Sequence, residues 1–513
     1  MMGLGMRQIV IDLLFIADLF IICYLLMYNV LHLFFTAISF YDVRLWIGRM
    51  LWEDRKQVYR SPFLPTITLL VPAYNEEVTI VESIRSLLRL EYPRYEIVIV
   101  NDGSKDQTIK VLREAFQFRR AEIDYYPRLP TMPLRGLYET RVPTGSQAQR
   151  LVLIDKDNGG KSDALNAAIN AARGDYVCSM DADSLLVPDA LVQLVIPILE
   201  DVNTTFAVGG QVVPSNGCEV KEGRLLRTGI PRSWIARFQL VEYIRSFTQG
   251  RTSMSRLNSV LILSGVCALF QREMLLRIGG FLTRHMTNRV GIEYCGFAKD
   301  TVCEDMEVVV RMHRYLLDTG IKGRVVFLPT PIAWTEVPEE LKSLGKQRGR
   351  WYRGLWENVY FHREILFRPR YKQIGMFSMP YQVLFEALGP LVEGLGYILL
   401  PISWYVGILD GKFFILFMLL ALFFSVMISS LSVLIGVWSE GQFKRTSSFA
   451  ESLLPFTPRE VALMIWYGFL SNFGYRQYIV WYQLKGFKDF LAGKKSWDKF
   501  ARKGFQNTTP AKS

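Results

Sequence analysis

Two patterns of apolar residues share this chain: runs too long for a soluble core near its ends, and short strand-length runs between them, each closed by polar residues. From Leu19 to Tyr41, 23 residues pass without a Lys, Arg, Asp or Glu, enough for a helix to cross a hydrocarbon core of ~30 Å. That is longer than the apolar region of a signal peptide, and no small-residue cleavage site follows, so a spanning helix is expected. A second zone, Ile374 to Leu409, carries only Glu386 and Glu393 as charges and is interrupted by Pro380, Pro390 and Pro401. It reads as one bent span or as a span plus an interfacial piece. Phe413 to Trp438 offers 26 uncharged residues and reads as a tilted span, whereas Val461 to Leu484 is a weaker fourth candidate because Arg476 interrupts it.

Charge orients these segments. Arg7 precedes the first span, while Arg44, Arg49, Arg55, Lys56 and Arg60 follow it, which puts the middle of the chain in the cytosol. At the other end the signals conflict. Four spans would leave the C-terminal tail outside, yet the tail holds eight basic residues against three in the 439–460 loop. Either the 374–409 zone does not cross completely or Val461–Leu484 lies in the interface. Glu386 and Glu393 then line a polar path, or they sit on an interfacial helix in water.

Between residues 65 and 330, strand-like runs alternate with helical patterns, as in βα units around a parallel sheet. Ile67–Val71, Ile97–Val100, Leu151–Ile154 and Tyr176–Met180 are nearly all apolar, as strands covered on both faces are. Polar residues gather at their C-terminal ends, where open α/β sheets bind ligands. Those ends read PAYNEE (72–77), NDGS (101–104), DNGGKS (157–162) and DADS (181–184). Taken singly, Asp102 is a turn residue before Gly103 and Asp181 and Asp183 are helix caps; four such loops in order ask for more.

Composition agrees with a membrane protein: half of the 513 residues are hydrophobic, 13% are aromatic, and mean hydropathy is +0.16. The net charge of +12 suits nucleic acid, anionic lipid or a phosphorylated substrate. The basic residues border the apolar runs and no aromatic-basic module appears, so nucleic acid is not an expected partner. Six scattered cysteines and four histidines show no spacing that suits a zinc site or a disulfide framework.

With NGGKSDALN (158–166), CED (303–305) and QRGRW (347–351) added, the stretch from about 65 to 355 resembles the processive family 2 glycosyltransferases, which include cellulose, hyaluronan and poly-N-acetylglucosamine synthases. The resemblance implies an α/β, GT-A-like, mostly parallel sheet flanked by helices, with N- and C-terminal transmembrane helices. The expected divisions are an N-terminal transmembrane helix (1–42), a cytosolic catalytic domain (60–355), interfacial and transmembrane helices (356–484) and a basic tail (485–513). It also implies an inverting enzyme of the inner (plasma) membrane that takes sugar from UDP-N-acetylglucosamine or UDP-glucose and elongates a β-linked polysaccharide, coupled to its export.

By that resemblance Ala73, Tyr74, Glu76, Asp102, Lys161 and Asp181 bind the nucleotide-sugar, Asp183 with Asp181 holds Mg²⁺ or Mn²⁺, and Asp305 is the general base. Glu304, Gln347, Arg350 and Trp351 serve the acceptor and the diphosphate. The residue types suit these tasks: a Tyr face stacks on a base, carboxylates take hard cations, and an Arg fork fits phosphate. Cys303 stands where the family usually has Thr. The Pro- and Arg-rich stretch 119–150 is outside the pattern, and is expected to be a solvated flap or to dock an accessory subunit or anionic lipid. Two rival readings remain at this point: transfer of a single sugar to a lipid carrier, and a catalytically silent membrane scaffold.

Overall fold

A computed structural model describes residues 2–52, 58, 61–221, 224–446 and 456–494. Arg55, Lys56 and Arg60 of the basic flank and residues 495–513 of the tail lie outside them. Residues 67–335 carry a sheet of ten strands: β1 (Ile67–Ala73), β2 (Tyr95–Asp102), β3 (Arg119–Arg120), β4 (Leu134–Thr140), β5 (Ala148–Lys156), β6 (Tyr176–Met180), β7 (Ser184–Leu186), β8 (Thr205–Pro214), and the two later strands Cys267–Gln271 and Arg324–Thr335. Between β8 and those two, β9 (Glu219–Lys221) and β10 (Arg224–Arg227) form a separate ribbon, so the later strands are β11 and β12. The sheet order is β3-β4-β5-β2-β1-β6-β11-β8-β12-β7.

All four apolar runs singled out above fall within β1, β2, β5 and β6, which are adjacent and parallel. They are almost completely buried, since both sheet faces are covered. Beyond this block the sheet is mixed rather than mostly parallel: β4 runs antiparallel to β5, β11 to both β6 and β8, and β7 to β12. The 119–150 stretch, expected as a flap, supplies β3 and β4 and so extends the sheet edge. Its prolines fall before Leu134 and after Thr140, where they leave the β4–β5 ladder intact.

Parallel register brings the functional loops together. Ala73 lies beside Asn101, and Asp102 beside Lys156, so the loops after β1, β2 and β5 open at one edge. Helix α1 (Met2–Trp52) lies at the N-terminus, and α2 (Lys161–Ala171) starts directly after the glycines of the third loop. Then come α3 (Trp234–Ile244), continued by a π-helical turn over Arg245–Arg251, α4 (Glu304–Thr319) and α5 (Leu341–Phe361). The π-turn docks on α1: Gln249 Nε2 donates to the His32 carbonyl at 2.6 Å, and the Ser39 hydroxyl donates to the Thr248 carbonyl.

Among the described residues, three helices are long and apolar enough to cross a membrane: Gln8–Arg49, Ile374–Tyr405 and Gly411–Gln442. The second is bent, with π-helical turns over Ile374–Ser378 and Gln382–Ala387 before α6 (Gly389–Tyr405). Pro380 and Pro390 cannot donate to the helical ladder, and π-turns are one way a helix absorbs that loss. The third belongs to α7 (Gly411–Thr446). Val461–Leu484 is not a single span: it divides into α8 (Pro458–Leu470) and α9 (Tyr475–Leu491), broken at Gly474, whose φ is +83°. Helix α9 lies along α5, and it runs through the position where the basic tail was expected to begin.

Candidate active site

The loops at the sheet edge, helices α3 to α5, and the membrane-side helices enclose one cavity of about 960 Å³. It is lined by Ala73, Tyr74, Glu76, Asp102, Lys161, Asp181, Asp183, Glu304, Asp305, Gln347, Arg350 and Trp351, so every residue singled out above faces the same space. Glu386 and Glu393 line its far end, on the bent helix.

At the second loop Asp102 is 2% exposed and its carboxylate is heavily engaged. Oδ1 takes the Lys156 ammonium at 2.5 Å and the Gly159 N–H at 3.0 Å; Oδ2 takes the Gly160 N–H at 2.8 Å and the Asn158 amide at 3.1 Å. Asp102 therefore shapes the glycine loop that precedes Lys161. Burial is the largest influence on it and raises its pKa, against the pull of Lys156 and the two glycine N–H groups. Lys156, which the sequence reading missed, also meets Asp163 of α2 at 2.7 Å and is itself fully buried. Its one signal is a lysine ending the strand that carries the apolar run Leu151–Ile154. Gly103 is required here, because at φ +65° a Cβ would stand 2.8 Å from the Asn158 nitrogen.

The Lys161 ammonium bridges Asp181 Oδ1 and Glu304 Oε1, both at 2.7 Å. Burial opposes its charge, but the two carboxylates outweigh that and hold its pKa above the ordinary lysine value. Asp181 and Asp183 flank Ala182 straight after β6, with Asp183 1% exposed. Two carboxylates on one short loop are a hard-oxygen donor set that fits Mg²⁺ or Mn²⁺.

Asp305 sits in the first turn of α4, where its Oδ2 accepts the Gly265 N–H at 3.2 Å. A side chain at 265 would meet Lys161 Nζ at 2.9 Å, so glycine lets the backbone approach both charged groups. Burial, then the neighbouring Glu304, push the Asp305 pKa up to about 6, against Lys161, Arg251 and the Gly265 N–H. On α5, Trp351 is 37% exposed, Gln347 and Arg350 line the cavity, and the Cys303 thiol lies 3.7 Å from the Trp351 carbonyl. Away from the cavity, Cys295, Glu307 and His362 form a buried cluster of potential metal donors. Both Glu307 oxygens there are already taken by the Arg311 fork, at 2.7 and 2.8 Å.

Residues 68–128 match the family described as "Glycosyl transferase family 2", and residues 141–354 match "Glycosyltransferase like family 2". The chain belongs to the family 2 glycosyltransferases. Among curated members of this family, the poly-beta-1,6-N-acetyl-D-glucosamine synthase of Staphylococcus epidermidis is 26% identical over 331 residues, 62% of this chain and 63% of that one. The enzyme of the same name from Staphylococcus aureus strain COL is 25% identical over 371 residues, 69% of this chain and 72% of that one. The match thus spans less than two thirds of the S. epidermidis protein's length.

Two solved structures show a distant likeness. A mannosyltransferase from Pyrobaculum calidifontis, in complex with GDP-Man and Mn²⁺, covers 91% of this chain and 99% of its own at 18% identity and a TM-score of 0.45. S. aureus TarS 1-349, in complex with UDP-GlcNAc, covers 83% and 92% at 13% identity and a TM-score of 0.35. The mixed sheet with flanking helices described above is the GT-A-like arrangement that the family 2 motifs imply.

Proposed function

We propose that this family 2 glycosyltransferase is a membrane-embedded, inverting enzyme that transfers sugar from a UDP-sugar to a growing β-linked polysaccharide on the cytosolic face. The observation that carries the reading is the convergence of Asp102, Lys161, Asp181, Asp183 and Asp305, from four separate parts of the fold, on one cavity that continues to the bent membrane-side helix. In this reading Tyr74 and Glu76 receive the nucleotide. Asp102 holds the glycine loop in the shape that admits the diphosphate beside Lys161. Asp181 and Asp183 hold Mg²⁺ or Mn²⁺, which when bound supplies Lewis-acid neutralisation of the leaving diphosphate.

Asp305 takes the proton of the acceptor hydroxyl. With a pKa near 6 it is ionised at neutral pH yet still basic enough to accept a proton as attack proceeds. Arg350 faces the diphosphate, and Trp351 offers a flat face to the terminal acceptor sugar. No nucleophilic side chain is needed for single displacement. Names of the curated relatives favour UDP-N-acetylglucosamine as donor and a polymer as product.

The test uses purified protein in detergent or nanodiscs with a panel of nucleotide-sugars, Mg²⁺ or Mn²⁺, and an acceptor, reading nucleotide release and product length. UDP-N-acetylglucosamine or UDP-glucose is expected to be consumed and long product made, with release abolished by chelator and restored by either cation. Single-sugar addition to lipid would instead reveal the carrier reaction. Asp305→Asn is expected to bind UDP normally and lose about 10²- to 10⁴-fold in turnover; normal turnover would remove Asp305 from its role.

A further inference from the structure

Trp351 is backed by a charge. Three residues before it on α5, and so on the same helix face, Arg348 lays its guanidinium over the indole with Cζ 4.3 Å from the ring centroid. Arg348 is 5% exposed, and its Nη2 donates to Glu242 Oε2 of α3 at 2.8 Å. The same Glu242 oxygen accepts the Tyr475 hydroxyl of α9 at 2.9 Å. Tyr475 in turn stacks on Phe238, one turn before Glu242, with centroids 4.5 Å apart. Three helices distant in sequence therefore close around one guanidinium, whose other visible face carries the exposed tryptophan. The Arg348 Nε makes no hydrogen bond, so Glu242 and the ring are what fix its plane.

We propose that Arg348, held by Glu242 and Tyr475, is a positioning residue that fixes the Trp351 ring as the platform for the acceptor sugar and thereby sets acceptor affinity and product length. The assignment rests on the transferase reading above and on Trp351 meeting the acceptor. Its physical content is separable from donor chemistry. The cluster lies between α3, α5 and α9, and the contacts described here for the donor side, among Asp102, Lys156, Lys161, Asp181 and Glu304, involve none of its members. A planar guanidinium stacks on an aromatic face, whereas an ammonium keeps the charge without the plane. Arg348→Lys therefore loosens the ring while leaving a cation for Glu242, and Glu242→Gln weakens the grip on Arg348 while keeping an acceptor oxygen.

The test is made on the full chain in nanodiscs, with UDP and Mg²⁺ as the nucleotide probe, UDP-N-acetylglucosamine as donor, and a short β-linked N-acetylglucosamine oligosaccharide as acceptor. In both variants UDP affinity and donor KM are expected to stay within about twofold of the parent, while acceptor KM rises roughly 5- to 30-fold, the range set by losing a partly desolvated cation–π contact. Product length should shorten in parallel, and the double variant should be no worse than the poorer single one, because both act through one ring. A merely structural role predicts instead a proportionate loss of UDP binding, and that result, or unchanged acceptor KM and product length, would overturn the assignment. Where Arg348→Lys does not survive extraction, Tyr475→Phe decides by the same two readouts, since it removes a single hydroxyl. An inactive parent protein strikes the transferase reading itself; this assignment fails only against an active parent.

Discussion

Two buried charge arrangements at the donor side set what single substitutions should do. Lys156 neutralises Asp102 and Asp163 out of contact with water, so Lys156→Met strands two buried carboxylates. Breaking a buried pair in this way costs about 3–5 kcal/mol, and a fall in the thermal midpoint together with lost UDP binding is the expected outcome, read by thermal shift and calorimetry. Asp305 predicts a pH profile. Its raised pKa means the base form is present above about pH 6 and is titrated away below it. Turnover at saturating donor is therefore expected to drop roughly tenfold per pH unit on the acid side, and a flat profile from pH 7 to 5 would contradict the role. Asp102, Asp181, Asp183 and Lys161 were legible in sequence because each follows a strand or glycine turn, whereas Asp305 stood out only through the CED motif. Lys156 was not, since its meaning comes from register with Asp102 on the neighbouring strand.

Helices α5 and α9 show how an element can hide from hydropathy. Gly345 and Gly349 of α5 and Gly486 of α9 allow close approach: a Cβ on Gly345 would meet the Tyr482 ring at 2.5 Å, and one on Gly486 the Gly349 carbonyl oxygen at 2.2 Å. An apolar count over Val461–Leu484 registers the residues that face α5 as if they faced lipid, which is why that stretch looked like a weak span. Arg476, the residue that spoke against a span, forks onto Glu393 at 2.5 and 2.9 Å and ties α9 to α6. Gly486→Ala should push α9 off α5 at about 1–3 kcal/mol, seen as a lower thermal midpoint and as earlier proteolysis near residue 474. An unchanged midpoint would mean the seam is looser than the geometry says. The β3–β4 edge was illegible for another reason: a proline-rich connection conceals a strand whose partners only the fold supplies.

At the scale of the whole molecule, three candidate spans among the described residues, in place of the four expected, would remove the conflict between parity and charge. If the N-terminus lies outside and all three candidates cross, as the charge pattern expects, Lys485, Lys488 and Lys494 fall on the same side as the ten-stranded sheet. An epitope after the last residue is expected to become antibody-accessible only once cells are permeabilised, and labelling of intact cells would refute that arrangement. The cavity bears on the same point, since the loops after β1, β2, β5 and β6 line it together with Glu386 and Glu393. The order of loops along the parallel block was readable because strands covered on both faces announce themselves as apolar runs. The enclosure of the cavity was not, because its far wall comes from helices that follow the last strand.

That far wall has a consequence for biogenesis. Tyr475 seals the pocket around Arg348 from a helix synthesised long after the motif at 347–351. A nascent chain halted between them would already own Asp102, Asp181, Asp183, Asp305 and the Arg348–Glu242 pair, yet would lack the Tyr475 hydroxyl on that glutamate. Completion of helix α9 thus adds the last contact to the group that stands behind Trp351.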